Sequence, residues 1–136
     1  MILKQHTLSR NERLKSRKQI DKLFNSGNYF NLPPLRLGYL LEEGGENDAL
    51  QLGVGVSGRH FKKAVDRNRV KRLLREAWRV QKTELAALAK DKRKSLKVFI
   101  IYTGRELPDH QLICEKTRLA IARLSTLINE TDPSNS

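Results

Sequence analysis

The segment Arg59–Lys82 constrains this chain more than any other. Ten of its residues are Lys or Arg and two are acidic, so it carries +8 of a formal net charge of +12. Val70, Leu73, Leu74, Ala77 and Trp78, extended by Leu85 and Leu88, recur at helical spacing. At about 100° per residue they form one stripe that must face a core. Asn68, Lys71, Arg72, Arg75, Arg79 and Lys82 fall on the opposite side, with Arg67 and Arg69 at the edges of the stripe. The pattern predicts a long helix from Phe61–Lys62 to about Ala89, apolar inward and cationic outward, with Trp78 as a core anchor.

A basic face can serve solubility alone, but here the charge is concentrated rather than spread. Like charges four residues apart destabilise a helix by a few tenths of a kcal/mol each, and Asp66 and Glu76 cannot neutralise ten cations. An external anion relieves that repulsion. The planar arginine fork suits phosphate, and an asparagine in the row can hydrogen-bond a base edge or a 2′-hydroxyl. A row of cations along several helical turns therefore points to a nucleic acid.

Around this helix the pattern reads as a small α+β domain. Ser16 and Gln19 have capping-box spacing ahead of Ile20, Leu23 and Phe24, and Gly27 supplies a stop. Asn28–Phe30 suits a short strand, and Pro33-Pro34 an extended lead-in to a strand at Leu35–Leu41 with one buried face. Glu42–Asp48 reads as an exposed acidic turn closing a hairpin with Leu50–Ser57, on which Gly53 and Gly55 share a face and mark a close approach. Asp91–Ser95 reads as a basic loop, Leu96–Tyr102 as a central strand, and Pro108-Asp109 as the opening of a last helix. That helix carries Ile113, Ala120, Ile121, Leu124, Leu127 and Ile128 in one stripe. The expected organisation is a basic arm at 1–12, one domain at 13–129 and a disordered tail at 130–136.

Several function classes are excluded. Cys114 is the only cysteine and His6, His60 and His110 are scattered, so neither a disulfide nor a metal-ligand spacing is present. No secretory signal or apolar run of about 18 residues occurs, which makes the cytoplasm the default location. Neither a carboxylate cluster nor a Gly-x-Ser-x-Gly nucleophile is found, so no catalytic side chains are expected.

The run Ala64–Glu76, with Arg67-Asn68-Arg69 at its core, resembles the signature of the ribonuclease P protein family. Leu52–Ser57 is similar to the family's preceding strand, Arg13–Phe24 to its first helix and Val98–Ile101 to its last strand, so the resemblance covers roughly residues 10–129. It implies an αβββαβα sandwich like the second domain of ribosomal protein S5, with a small central sheet and a left-handed βαβ crossover. It also implies a monomeric partner, one per RNA, of a catalytic RNA that removes the 5′ leader of precursor tRNA. The RNA's own Mg²⁺ would perform the chemistry, and the protein would hold no cofactor.

By the same resemblance Arg59, Lys62, Lys63, Arg67, Asn68, Arg69, Lys71, Arg72, Arg75 and Arg79 would face the catalytic RNA. Arg17, Ile20, Phe24, Arg36 and Gly38 would line the leader cleft. Two departures stand out. Gly58 replaces a frequent lysine, and Gly38 falls where the family often has an aromatic, so leader stacking is weakened or has moved to a neighbour. A structural RNA-binding protein or RNA chaperone would share this charge profile. A DNA-binding recognition helix fits less well, because strands rather than a short helix flank the candidate.

Overall fold

A computed structural model describes residues 13–43 and 50–130. Its elements run α1 (Arg17–Ser26), β1 (Asn28–Leu32), β2 (Leu35–Glu43), β3 (Leu50–Val56), α2 (Ala64–Gln81), α3 (Thr83–Asp91), β4 (Lys94–Tyr102) and α4 (His110–Glu130). The strands make one sheet in the order β1-β2-β4-β3. β1 and β2 are antiparallel, and Pro33-Pro34 forms the turn between them rather than an extended lead-in. β4 is antiparallel to β2 and parallel to β3.

The expected β2–β3 hairpin is therefore not formed, because β4 inserts between its two members. β4 is the most apolar strand of the chain, and the centre of a sheet is where such a strand hydrogen-bonds on both edges. A parallel neighbour needs a long crossover, and α2 with α3 supplies it. The predicted long helix is divided at Lys82, which no Gly or Pro announces. A straight helix from Lys62 to Ala89 would span about 42 Å, well beyond a nine-residue strand of about 30 Å. The division lets Leu85 and Ala89 of α3 pack into the core against β4 and α4.

One sheet face, made by Leu35, Leu37, Leu52, Leu96, Val98 and Ile100, packs against α2, α3 and α4. Trp78 is fully buried there, as the apolar stripe predicts, and so is the stripe of α4 at Ile113, Ala120, Ile121, Leu124 and Ile128. Asp109 opens α4, its Oδ1 accepting from the Leu112 N–H at 2.7 Å. The expected basic loop at Asp91–Ser95 shrinks to a turn, since β4 already begins at Lys94.

α1 packs on the other sheet face. Its N-terminus is capped by Ser16, whose Oγ accepts from Gln19 N at 3.4 Å. At its end Gly27 approaches so closely that an added Cβ would lie 2.5 Å from Leu23 O and 2.6 Å from Tyr39 O. Ahead of α1, Arg13 bridges Leu52 in parallel, and Leu14 N donates to Leu52 O at 2.8 Å along the outer edge of β3. The expected arm at 1–12 lies outside the described residues. So do 44–49 of the acidic turn and 131–136 of the tail, while Glu130 still belongs to α4.

Glu42 and Glu43 belong to β2 rather than to a solvated turn. Glu42 joins Lys22 of α1 to the buried Lys97 of β4, the latter at 3.3 Å, and Glu43 pairs with the buried Lys94. The Lys22 hydrogen bond holds the Glu42 carboxyl below the usual glutamate range against the opposing effect of partial burial, and Lys97 adds to it. A carboxyl so held stabilises the fold above its unfolded pKa, and that stability is lost as pH falls through the folded value. Glu42→Gln should therefore cost about 1–2 kcal/mol at pH 7, with the deficit shrinking below about pH 4. Thermal melts of both proteins at pH 7 and pH 3 check this, and an equal deficit at both would contradict it.

Candidate nucleic-acid interface

α2 presents its charges much as the helical wheel requires. Val70, Leu74, Ala77 and Trp78 are buried, whereas Asn68, Arg69, Arg72 and Arg75 are exposed and Lys71 and Arg79 are half-buried. Arg59, Lys62 and Lys63 are exposed in the segment leading into the helix. Burial pushes the Lys82 ammonium below its ordinary value at the end of the row. The result is a ridge of cations along α2, spaced by helical turns and reachable by a phosphate backbone.

Arg67 has a different position from its neighbours. Its Nη1 donates to the carbonyls of Phe61 at 2.9 Å and Lys62 at 2.7 Å. Those carbonyls belong to the segment that leads into α2, and Phe61 is itself buried against Tyr102, ring centroids 5.9 Å apart. The guanidinium thus clasps the start of the basic helix, a role that its place at the edge of the stripe did not reveal.

Arg75 connects the ridge to the far face of the sheet. With Arg13, Lys15, Ile20, Gly53 and Phe99 it lines a cavity of about 250 Å³ at the outer edge of β3. Burial, and then the charge of Arg13, pushes the Arg75 guanidinium below its ordinary value. Two cations held together beside a half-enclosed space make a site for an anion. Arg13 and Lys15 were missed by pattern reading, because only the pairing of Arg13 with Leu52 brings them to α2.

Beyond this cavity the face under α1 is built by one transverse row. Tyr29 lies opposite Gly38, Gly38 opposite Phe99, and Phe99 opposite Gly53. Large and small residues alternate, and each ring covers its glycine neighbour. An added Cβ on Gly38 would meet Tyr29 Cε1 at 2.8 Å, and one on Gly53 would meet Phe99 Cδ2 at 2.6 Å. The close approach expected at Gly53 and Gly55 is thus the ring of Phe99. Phe24 of α1 packs edge-on against that ring, centroids 5.2 Å apart.

Of the residues expected in the cleft, Ile20, Phe24, Arg36 and Gly38 come together on this face, and Arg17 is exposed on the first turn of α1. Gly38 offers no surface of its own, because Tyr29 covers it. The Tyr29 hydroxyl donates to Phe24 O at 3.0 Å, and the Arg36 guanidinium lies 5.2 Å from the Tyr29 ring centre. Tyr29 and Phe99 escaped the sequence reading, since their places depend on strand pairing. Among the described residues no three His, Cys, Asp or Glu side chains gather as a metal site, and no helix is long and apolar enough to cross a membrane.

The model of the Ribonuclease P family matches residues 8–125. The ribonuclease P protein component of Porphyromonas gingivalis is 34% identical over 120 residues, covering 87% of this chain and 86% of that protein. Its counterpart from Chlorobium phaeobacteroides is 31% identical over 129 residues, covering 88% and 86%. In fold, the chain is similar to the RNase P protein from Thermotoga maritima, with a TM-score of 0.64 at 23% identity over 82% of this chain and 96% of that one. It is also similar to the Staphylococcus aureus RNase P protein, with a TM-score of 0.62 at 21% identity over 83% and 96%.

The two kinds of arginine on α2 should separate by stability. Arg67→Ala removes a charged donor from two carbonyls and should cost about 1–2 kcal/mol, whereas Arg69→Ala and Arg72→Ala should stay within roughly 0.5 kcal/mol of wild type. Urea denaturation of the three variants checks this, and equal midpoints would remove the clasp role.

Proposed function

The chain belongs to the ribonuclease P protein family, and from that premise we propose that it is the protein subunit of a ribonuclease P ribonucleoprotein. In this reading it assembles as one copy with a catalytic RNA in the cytoplasm and promotes removal of the 5′ leader from precursor tRNA. The observation that carries the reading is the continuity of two surfaces. The cationic ridge of α2 turns the edge of β3 through Arg75 and Arg13 and meets the aromatic face beneath α1. A folded RNA on the ridge would leave an emerging single strand directed toward that face.

Each part has a chemical task. Asn68, Arg69, Lys71, Arg72 and Arg75, with Arg59, Lys62, Lys63 and Arg79 beside them, neutralise phosphates of the catalytic RNA and release counterions. Arg67 holds the start of α2, so that these side chains stand in a fixed row. Phe24 and Arg36, with Ile20 and Arg17, contact the leader, which is single-stranded and so leaves its bases and phosphates accessible. Hydrolysis of the phosphodiester is left to the RNA and the Mg²⁺ it binds. The protein positions substrate and lowers charge repulsion between two polyanions.

Reconstitution tests this directly. The protein with a bacterial ribonuclease P RNA and precursor tRNA at low Mg²⁺ should cleave at the mature 5′ end faster than RNA alone, and the protein alone should not cleave. Tight RNA binding without enhancement of a cognate RNA would favour a structural or chaperone role. Lys71→Ala, Arg72→Ala and Arg75→Ala should each weaken RNA binding and flatten the slope of log affinity against log salt by about 0.7–0.9 for every phosphate left unneutralised. Filter binding between about 50 and 200 mM salt reads that slope, and unchanged slopes would remove these residues from the interface.

A further inference from the structure

We propose that Tyr29 of the edge strand β1 is the base-stacking ring for the single-stranded substrate, seated by Gly38 and indifferent to which base it receives. This inference rests on the leader reading above and adds the residue and the mode of recognition. Three observations carry it. Tyr29 is 39% exposed on the sheet face that α1 covers only in part. It leans into the space that a side chain at position 38 would fill, with Cε1 and Cδ1 placed 2.8 and 3.1 Å from where a Cβ would stand. Its hydroxyl is committed to Phe24 O at 3.0 Å, which ties β1 to α1 and fixes the ring's direction.

The committed hydroxyl decides the specificity. It does not point to a base edge, so the ring offers a partner its π-face, and every base has one. Arg36 is the cation that accompanies it, stacked on the ring at 5.2 Å. An exposed cation–π contact is worth roughly 0.5–1 kcal/mol, and a base stacked on an aromatic roughly 1–3 kcal/mol. A base therefore displaces the guanidinium from the ring, and Arg36, flexible and exposed, turns to the phosphate of the same nucleotide. Gly38 is the residue that makes this possible: a side chain there would drive the ring from its seat and press on Leu23 of α1, whose Cδ2 lies 3.0 Å from the Cβ position.

The test uses the holoenzyme and two precursor tRNAs, one with a leader of several nucleotides and one with a single leader nucleotide. Their affinity ratio reads the leader contribution. Tyr29→Leu, which keeps apolar cover over Gly38, should lower the ratio roughly fivefold or more, while Tyr29→Phe should hold it within about twofold. Scanning the leader with single abasic nucleotides should find one position that reproduces the loss in wild type. Tyr29→Leu combined with that position should cost no more than either change alone, and exchanging its base should alter affinity less than about threefold.

Melts of each variant establish that it is folded. An unchanged ratio in folded Tyr29→Leu, with leader dependence present in wild type, would overturn the assignment and leave the proposed function standing. Additive losses with the abasic position would overturn stacking, and a preference of about tenfold for one base would overturn indifference. No leader dependence in wild type would remove both this inference and the leader reading beneath it.

Discussion

β4 hydrogen-bonds to a strand on each side, antiparallel to β2 and parallel to β3, and most of the molecule follows from that placement. A parallel pair cannot be closed by a tight turn, so the chain must leave β3, cross one face of the sheet and return. The crossover is α2 with α3, which forces the basic helix to lie flat on the core side with its apolar stripe down. Its cations then have nowhere to point but outward. The same strand divides labour between its faces: Leu96, Val98, Ile100 and Tyr102 enter the core, while Lys97, Phe99 and Ile101 belong to the side that α1 partly covers. Lys97 is buried there and would be costly without a partner. Glu42 supplies one, and by holding Lys22 as well it fastens α1 over the sheet.

Charge is distributed with a purpose that stability alone does not explain. Acidic side chains are spent at one end of the sheet, on Lys22, Lys94 and Lys97, where they hold elements together. At the β3 edge Arg75 stands beside Arg13 and is pushed below its ordinary value by burial and by that neighbour. A protein optimised for its isolated state would place an acid between them. Retained repulsion means that the isolated fold carries a cost which an incoming polyanion removes, so binding and local stability are linked.

The sequence made the helix periods legible because they are local. The stripe of α2, the buried Trp78, the cap at Ser16 and the opening of α4 all depend on residues within a few turns. β4 was legible as central from its composition, but its insertion between β2 and β3 was not, since a short connection between two strands ordinarily reads as a hairpin. The same limit hid half of the candidate site. Tyr29 and Phe99 matter through cross-strand neighbours, Arg13 through its bridge to Leu52, and Arg67 through carbonyls five and six residues before it. The family resemblance marked Gly38 as a place where an aromatic is often found and implied that stacking is weakened or has moved to a neighbour; the pairing of Tyr29 with Gly38 puts a ring there from the adjacent strand.

That exchange has a physical logic. A glycine inside a strand costs roughly 0.5–1 kcal/mol relative to alanine, and a ring from a neighbouring strand packed over the bare backbone recovers part of it. The row Tyr29, Gly38, Phe99, Gly53 uses this device twice across four strands. Phe99 is further covered by Phe24 and acts as support, whereas Tyr29 stands at the edge strand with an exposed flank. A ring on β2 itself would sit beneath α1 and depend on that helix for its rotamer. Moved to β1 and seated over Gly38, it is held chiefly by that packing, with the hydroxyl bond to Phe24 O as a secondary tie. Fewer rotamers remain to be lost when a base stacks on it, which lowers the entropic cost of binding. Preorganisation of this kind favours an aromatic that need not choose among bases, because rigidity supplies the affinity that hydrogen-bond readout would otherwise provide.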